Sequence, residues 1–246
     1  MKLKNKVMIV TGAKGGMGKQ LVEDSLAEGA IVAGFDLAEN APISNDRYFY
    51  QRVDLSVEED VNRAFSEVMM RFDQVDALVN LAGIAQSATP LEDVTLEDWE
   101  RIHKINSTSV FLTCKAASRV MKKAGSGSIV NVASVSTVRP RPGLNAYIAS
   151  KGAVVSFTEA IAIELAEYGI RANVLHPGPA DTAMISQFAG VDQNIDEVKE
   201  NIFKKSVPLG RLIRPEDIST GIIYLCSDDA SMVTGTTLRI DGGRGL

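Results

Sequence analysis

Val7 to Val10 is an unbroken apolar run that leads directly into Thr11-Gly12-Ala13-Lys14-Gly15-Gly16-Met17-Gly18. A short continuous apolar run is what a strand buried on both faces requires. Beyond the glycines, Leu21, Val22, Leu26 and Ala27 recur at helical spacing up to Gly29, which is placed to end the helix. Strand, glycine turn and helix in that order form a phosphate cradle. The missing side chains let backbone N–H groups approach a pyrophosphate, and the helix N-terminus adds a favourable dipole. Gly12, Lys14, Gly16, Met17 and Gly18 are therefore the first cofactor-binding candidates.

The rest of the chain repeats the alternation. Strand patterns at 30–35, 48–53, 77–81, 127–133, 170–175 and 236–240 are separated by helical patterns at 57–72, 95–123, 146–167 and 215–227. This predicts an α/β fold: a doubly wound parallel sheet of about seven strands with helices on both faces. With 45% hydrophobic residues and no linker or repeat, residues 1–246 read as a single domain. Residues 184–209 form the longest irregular region, with a helix expected near 195–204. Such long loops often act as substrate lids, and Met184, Ile185 and Phe188 would give this one an apolar face.

Charge removes several function classes. With 26 basic and 31 acidic residues and a net charge of −5, the chain has no footprint for nucleic acid or an anionic membrane. No run of eighteen apolar residues predicts a membrane span. The basic N-terminus is followed by too short an apolar run for a secretion signal. Cys114 and Cys226 lie far apart in helical patterns and read as reduced, packed thiols of a cytoplasmic protein. They and the two histidines, His103 and His176, do not make a metal site.

Further site candidates follow at the strand ends. Asp36 closes the second strand, where a carboxylate binds both hydroxyls of an adenosine ribose and repels a 2′-phosphate. That favours NAD over NADP, although Lys14 could offset some repulsion. Asp54-Leu55 ends the third strand; Asp54 either meets the adenine edge or caps the next helix with Ser56. Asn80-Leu81-Ala82-Gly83 is a small-residue turn that could pass close to a ligand. Asn106 falls inside a helix, where it either disturbs the backbone bonding or faces solvent. Ser134 stands at the end of the fifth strand. Tyr147 and Lys151, four residues apart, share one helix face, where the ammonium would favour the phenolate and lower the tyrosine pKa. In the loop between Ser134 and Tyr147, Arg139 and Arg141 are either an anion clamp or ordinary loop charges. After the sixth strand, Pro177-Gly178 can lay backbone groups along a carboxamide, and Thr182 can offer a hydroxyl toward phosphate. His176 reads as a packed histidine.

Taken together in this order, these residues resemble the short-chain dehydrogenase/reductase family over nearly the whole chain. The resemblance rests on Thr11 to Gly18, Asp36, Asp54, Asn80 to Gly83, Asn106, Ser134, Tyr147, Lys151, Pro177-Gly178 with Thr182, and Asp241-Gly242-Gly243. Leu81 departs from it, since the family more often has asparagine there. The resemblance implies Tyr147 as general acid/base and Lys151 as the residue that tunes it and binds the nicotinamide ribose. It implies Ser134 as the holder of the substrate oxygen and Asn106 as the keeper of a proton-conducting water. It also implies a homotetramer. The activity expected is hydride transfer between NAD and a secondary alcohol or ketone, with a small molecule rather than a macromolecule as partner. The rival readings are a 3-oxoacyl-(carrier protein or coenzyme A) reductase and an NAD-binding regulator without catalysis. Gly15, where such reductases place a basic residue, and Asp36 argue against the first. The intact serine, tyrosine and lysine argue against the second.

Overall fold

The computed structural model describes residues 1–188 and 204–246. Seven strands form one sheet: β1 (Val7–Thr11), β2 (Ile31–Asp36), β3 (Tyr48–Arg52), β4 (Ala77–Asn80), β5 (Gly127–Val132), β6 (Ile170–Pro177) and β7 (Thr237–Ile240). Their order is β3-β2-β1-β4-β5-β6-β7, and every pairing is parallel. The helices are α1 (Gly16–Ala27), α2 (Glu58–Phe72), α3 (Leu96–His103), α4 (Ser109–Ala124), α5 (Asn145–Ala166), a short α6 (Met184–Gln187) and α7 (Pro215–Cys226).

Strand β1 shows why the sheet must be covered twice. All five of its residues are buried. Side chains alternate across a strand, so Val7 and Ile9 join one core with residues of α2, α4 and α5. Met8 and Val10 join the other with residues of α1 and α7. Helix α5 is long and apolar enough to cross a membrane by length and composition. Here its apolar positions serve the core instead, with Val154, Ala162 and Leu165 buried against the sheet.

The chain order reverses at β1, which lies between β2 and β4. Crossovers leave to opposite sides there, and a crevice opens beyond the carboxyl ends of the strands. Register brings the ends together: Thr11 lies opposite Phe35 on one side and Asn80 on the other. The Thr11 hydroxyl accepts from the backbone N–H groups of Leu81 and Ala82 at 3.0 and 3.2 Å.

Two elements differ from expectation. Strand β6 continues through His176 and Pro177, because β7 pairs with it to its end and Gly178 N–H donates to the Ile240 carbonyl at 2.9 Å. The predicted helix 95–123 is interrupted by a π-helical stretch, Lys104–Thr108. The helix expected near 195–204 lies outside the described residues.

Candidate active site

The crevice is continuous, with an outer and an inner part. The outer part is lined by Gly12, Lys14, Gly15, Gly16, Asp36 and Asp54, with Leu55, Ala82 and others. Its floor is backbone. Gly18 packs so tightly under the turn that a Cβ on it would lie 2.0 Å from the Gly12 carbonyl oxygen. Gly12 has a φ of +67° and sits against Ala82, where a Cβ would meet backbone at 2.9 Å. Only glycine meets both demands. Helix α1 has no side-chain cap and no acidic residue in its first turn, so its N-terminal N–H groups and dipole serve the crevice. Asp36 is held by two backbone donors: Lys14 N–H to Oδ2 at 2.9 Å and Ala38 N–H to Oδ1 at 3.2 Å. An uncapped helix, a glycine floor and a fixed carboxylate at the end of β2 fit a dinucleotide with a free ribose diol. Asp54 accepts from the Ser56 N–H and hydroxyl at 2.9 and 2.7 Å, which holds its carboxyl below its ordinary pKa. It forms a local turn and lines the crevice as well.

The inner part holds Ser134, Tyr147 and Lys151 together with Gly83, Pro177 and Gly178. Met17, Leu81, Gly83, Ile84, Thr182 and Met184 border both parts. Thr182 stands directly across from Gly16, its methyl 3.2 Å from where a Cβ would be.

Ser134 follows β5 and opens a 3-10 turn. Its hydroxyl accepts from the Ser136 N–H at 3.1 Å and the Ser136 hydroxyl at 2.8 Å. With two donors already supplied, its own proton remains for an acceptor in the cavity. Lys151 Nζ donates to the Val132 carbonyl at 2.9 Å. A methyl on Gly83 would meet it at 3.3 Å and the Asn106 Oδ1 at 3.1 Å. Gly83 is therefore what admits the lysine. Phe188 stacks edge-on against Tyr147, with ring centroids 5.2 Å apart.

The electrostatics correct one expectation. Burial raises the Tyr147 pKa, and Ser134 hydrogen bonding only partly opposes this. Lys151 is itself pushed down to about 8 by burial. Desolvation thus dominates both groups, and the tyrosine is a neutral phenol near neutral pH.

Two predicted site residues turn away from the crevice. Asn80 points into the core, donating to Asn131 Oδ1 at 2.9 Å and accepting from the Thr113 hydroxyl at 2.8 Å. A buried amide must be paired, and its partners lie inside the sheet–helix layer. Asn106 is also fully buried. Its Oδ1 accepts from the Ile84 N–H at 2.8 Å, and its Nδ2 donates to the Ile84 carbonyl at 3.0 Å and the Ser150 hydroxyl at 3.1 Å. It ties the loop after β4 to α5 at the π-helical break, rather than facing solvent. His176 is buried and neutral, its pKa pushed down to about 4 mainly by desolvation.

Sequence reasoning missed Gln86, Ser136 and Arg244. Gln86 Oε1 accepts from the Tyr147 N–H at 2.9 Å, and its amide donates to Asn145 Oδ1 at 3.4 Å. An N-terminal cap supplied from sixty residues upstream has no local signature. Ser136, two residues past Ser134, was legible as a turn-forming hydroxyl.

A family profile described as Enoyl-(Acyl carrier protein) reductase matches residues 12–244. A cyclopentanol dehydrogenase of Comamonas is 37% identical over 98% of each chain. A cis-4-hydroxycyclohexanecarboxylate dehydrogenase of Sinomonas cyclohexanicum is 35% identical over 97% of this chain and 96% of its own. A crystal structure of 3-ketoacyl-(acyl-carrier-protein) reductase from Brucella melitensis, complexed with NADH, superposes with a TM-score of 0.92. It is 35% identical and the match covers 99% of both chains. With the parallel sheet, the glycine cradle and these matches in hand, the chain belongs to the short-chain dehydrogenase/reductase family of oxidoreductases.

Proposed function

We propose that this protein is a dehydrogenase that uses NAD to oxidise a secondary alcohol, or to reduce the matching ketone, with Ser134, Tyr147 and Lys151 as its catalytic residues. The observation that carries the reading is the convergence of those three side chains in one cavity that opens onto the glycine cradle. The cofactor is NAD, held by Gly12, Gly16, Gly18, Asp36, Asp54 and Thr182; when bound it supplies the two-electron acceptor. Backbone around Ala82, Gly83, Pro177 and Gly178 shapes the reactive end of its site.

In oxidation, the substrate hydroxyl lies between Ser134 Oγ and Tyr147 Oη. Tyr147, as tyrosinate, takes the hydroxyl proton while hydride leaves the same carbon. In reduction, the phenol gives that proton to the carbonyl oxygen. Burial keeps Tyr147 protonated, which suits the reductive direction near neutral pH. Asn106 is a positioning residue that fixes Ile84 and Ser150 around the lysine. Met184, Ile185 and Phe188, which line the inner cavity, support a lid role for the segment that begins with them. Copies of the chain pair through α4 and α5, where Phe111 and Ile163 are 45% and 83% exposed; light scattering showing a monomer would dismiss this.

The test is Tyr147→Phe. Turnover falls by ~10³-fold or more, as for removal of a general acid/base, while NAD affinity by calorimetry changes little. Near-normal turnover in that variant overturns the assignment. The Brucella structure favours a second reading, reduction of a 3-oxoacyl thioester; faster NADH oxidation with acetoacetyl-coenzyme A than with any simple ketone would select it.

A further inference from the structure

Ser136 lines the inner cavity together with Ser134 and Tyr147, and the proposed chemistry does not use it. It is 9% exposed. Among the described residues its hydroxyl makes one hydrogen bond, to Ser134 Oγ at 2.8 Å. Its backbone N–H donates to the same oxygen at 3.1 Å. The turn that carries both serines is closed by other groups. The Thr137 N–H and hydroxyl donate to the Ser134 carbonyl at 3.2 and 2.8 Å. The Val138 and Arg139 N–H groups donate to the Val135 carbonyl at 3.1 and 2.9 Å. The Ser136 hydroxyl thus acts on a side chain and not on the fold of the loop.

A serine oxygen has two acceptor sites and one proton. With the N–H and the O–H of Ser136 both directed at it, Ser134 Oγ has no lone pair left for a third donor. Ser134 can then only donate. Its hydrogen bond to Tyr147 favours the ionised phenol, against the burial that opposes ionisation. A hydroxyl that receives a hydrogen bond also gives a stronger one, because each bond in a chain polarises the next. Without the Ser136 hydroxyl, Ser134 regains an acceptor site. An alcohol can then give its proton to Ser134, the orientation that withholds that proton from Tyr147.

We propose that Ser136 is a positioning residue that makes Ser134 a donor only and aims its proton at the oxygen atoms of Tyr147 and the substrate. The direction of one proton then decides how an alcohol binds. The substrate oxygen offers a lone pair to Ser134 and its own proton to tyrosinate, the arrangement from which that proton leaves as hydride departs. In reduction, the same donor meets the carbonyl oxygen as it gains negative charge. The inference rests on the dehydrogenase reading for the substrate step alone; the hydrogen-bond chain from Ser136 through Ser134 to Tyr147 does not need it.

Ser136→Ala removes the hydroxyl and keeps the N–H and the turn. One measurement needs no turnover: titration of Tyr147 in the NAD-loaded protein, read from the NMR signal of ring-labelled tyrosine and assigned with Tyr147→Phe. It is expected to move to higher pH in Ser136→Ala and further in Ser134→Ala. With cyclopentanol and NAD, Ser136→Ala should lower kcat about five- to tenfold and leave KM within about twofold, since contact survives and proton direction does not. Ser134→Ala alone should cost ~10²-fold or more, as for losing an oxyanion donor. The double variant decides between roles. If Ser136 acts through Ser134, the double variant matches Ser134→Ala in both titration and kcat; a residue that merely supports the loop adds its own loss. Ser136→Cys, a weaker donor, should fall between alanine and serine. Additive losses in the double variant overturn the proposal, and so does an unmoved Tyr147 titration in Ser136→Ala. A protein that shows the titration pattern yet oxidises no alcohol with NAD keeps the role of Ser136 and refutes the dehydrogenase. One that oxidises alcohols equally fast with and without the Ser136 hydroxyl does the reverse.

Discussion

The two halves of the crevice are built in different ways. The outer half recognises through backbone: a glycine floor, an uncapped helix end and one carboxylate held by two N–H groups. All of it comes from β1, α1 and the end of β2, within thirty residues. The inner half recognises through side chains drawn from β5, α5, the loop after β4, α6 and the C-terminal segment. The difference teaches where each kind of specificity is stored. A dinucleotide common to many enzymes can be met by a local, sequence-contiguous device. A particular substrate is met by groups that only the whole fold brings together.

The largest break in this comparison should come at Lys151, a buried side chain in the inner half. Lys151→Met is expected to lower oxidation by ~10²- to 10⁴-fold, the range for losing acid/base assistance. It should also make the fold more stable. The folded lysine has a pKa of about 8, depressed from 10.5 by burial, so at neutral pH the fold carries the cost of an ammonium out of water. Between those two values the unfolded chain binds more protons than the folded one. Stability therefore rises with pH through that window in the unmodified protein, and the variant should lack this rise. Each kcal/mol recovered is worth roughly 2–4 °C in Tm for a chain of this size. Thermal melts at several pH values check both points. A variant that melts lower at neutral pH would show that the Val132 contact outweighs desolvation.

A smaller effect is expected at Asp36, the side chain at the end of β2 that serves the backbone half. Asp36→Ala should weaken NAD and shift the NAD-to-NADP preference by about tenfold, the scale of one charged hydrogen-bonding group. Lys14, whose backbone N–H donates to Asp36 and which lines the same part of the crevice, brings an ammonium that should favour the 2′-phosphate once the carboxylate is gone. Titration of both cofactors measures the ratio. An unchanged ratio would mean that the outer half selects by backbone alone.

The same division explains what could be read without the fold. The strand–glycine–helix unit, Asp36 and the Tyr147–Lys151 spacing are local patterns, and each appears where its periodicity placed it. Burial is not local. The Tyr147–Lys151 spacing suggested an ammonium that acidifies a phenol, whereas the enclosing cavity moves both groups toward neutrality. Asn80 sits in a turn pattern next to ligand-facing residues, yet strand pleating sends its amide to Asn131 and Thr113. Arg244 lines the inner cavity from a segment whose backbone Asp241 and Arg139 hold across the fold, and no local pattern signals that.

The subtlest expected effect concerns Gln86, which reaches across from the loop after β4 to cap the first turn of α5. It is 6% exposed, and its Oε1 is the acceptor for the Tyr147 N–H. A helix-start donor left buried without an acceptor costs about 1–2 kcal/mol. In Gln86→Leu that cost falls on the turn that carries the catalytic phenol, so kcat should drop by roughly five- to tenfold through misplacement. NAD affinity should stay nearly constant, because the outer half does not touch Gln86. Gln86→Glu keeps an acceptor and adds negative charge at a helix N-terminus, which the dipole favours, so it should recover most of the stability and the rate. Equal losses in kcat and NAD affinity for both variants would instead mean that the loop supports the whole crevice, and that its two halves are less independent than their construction implies.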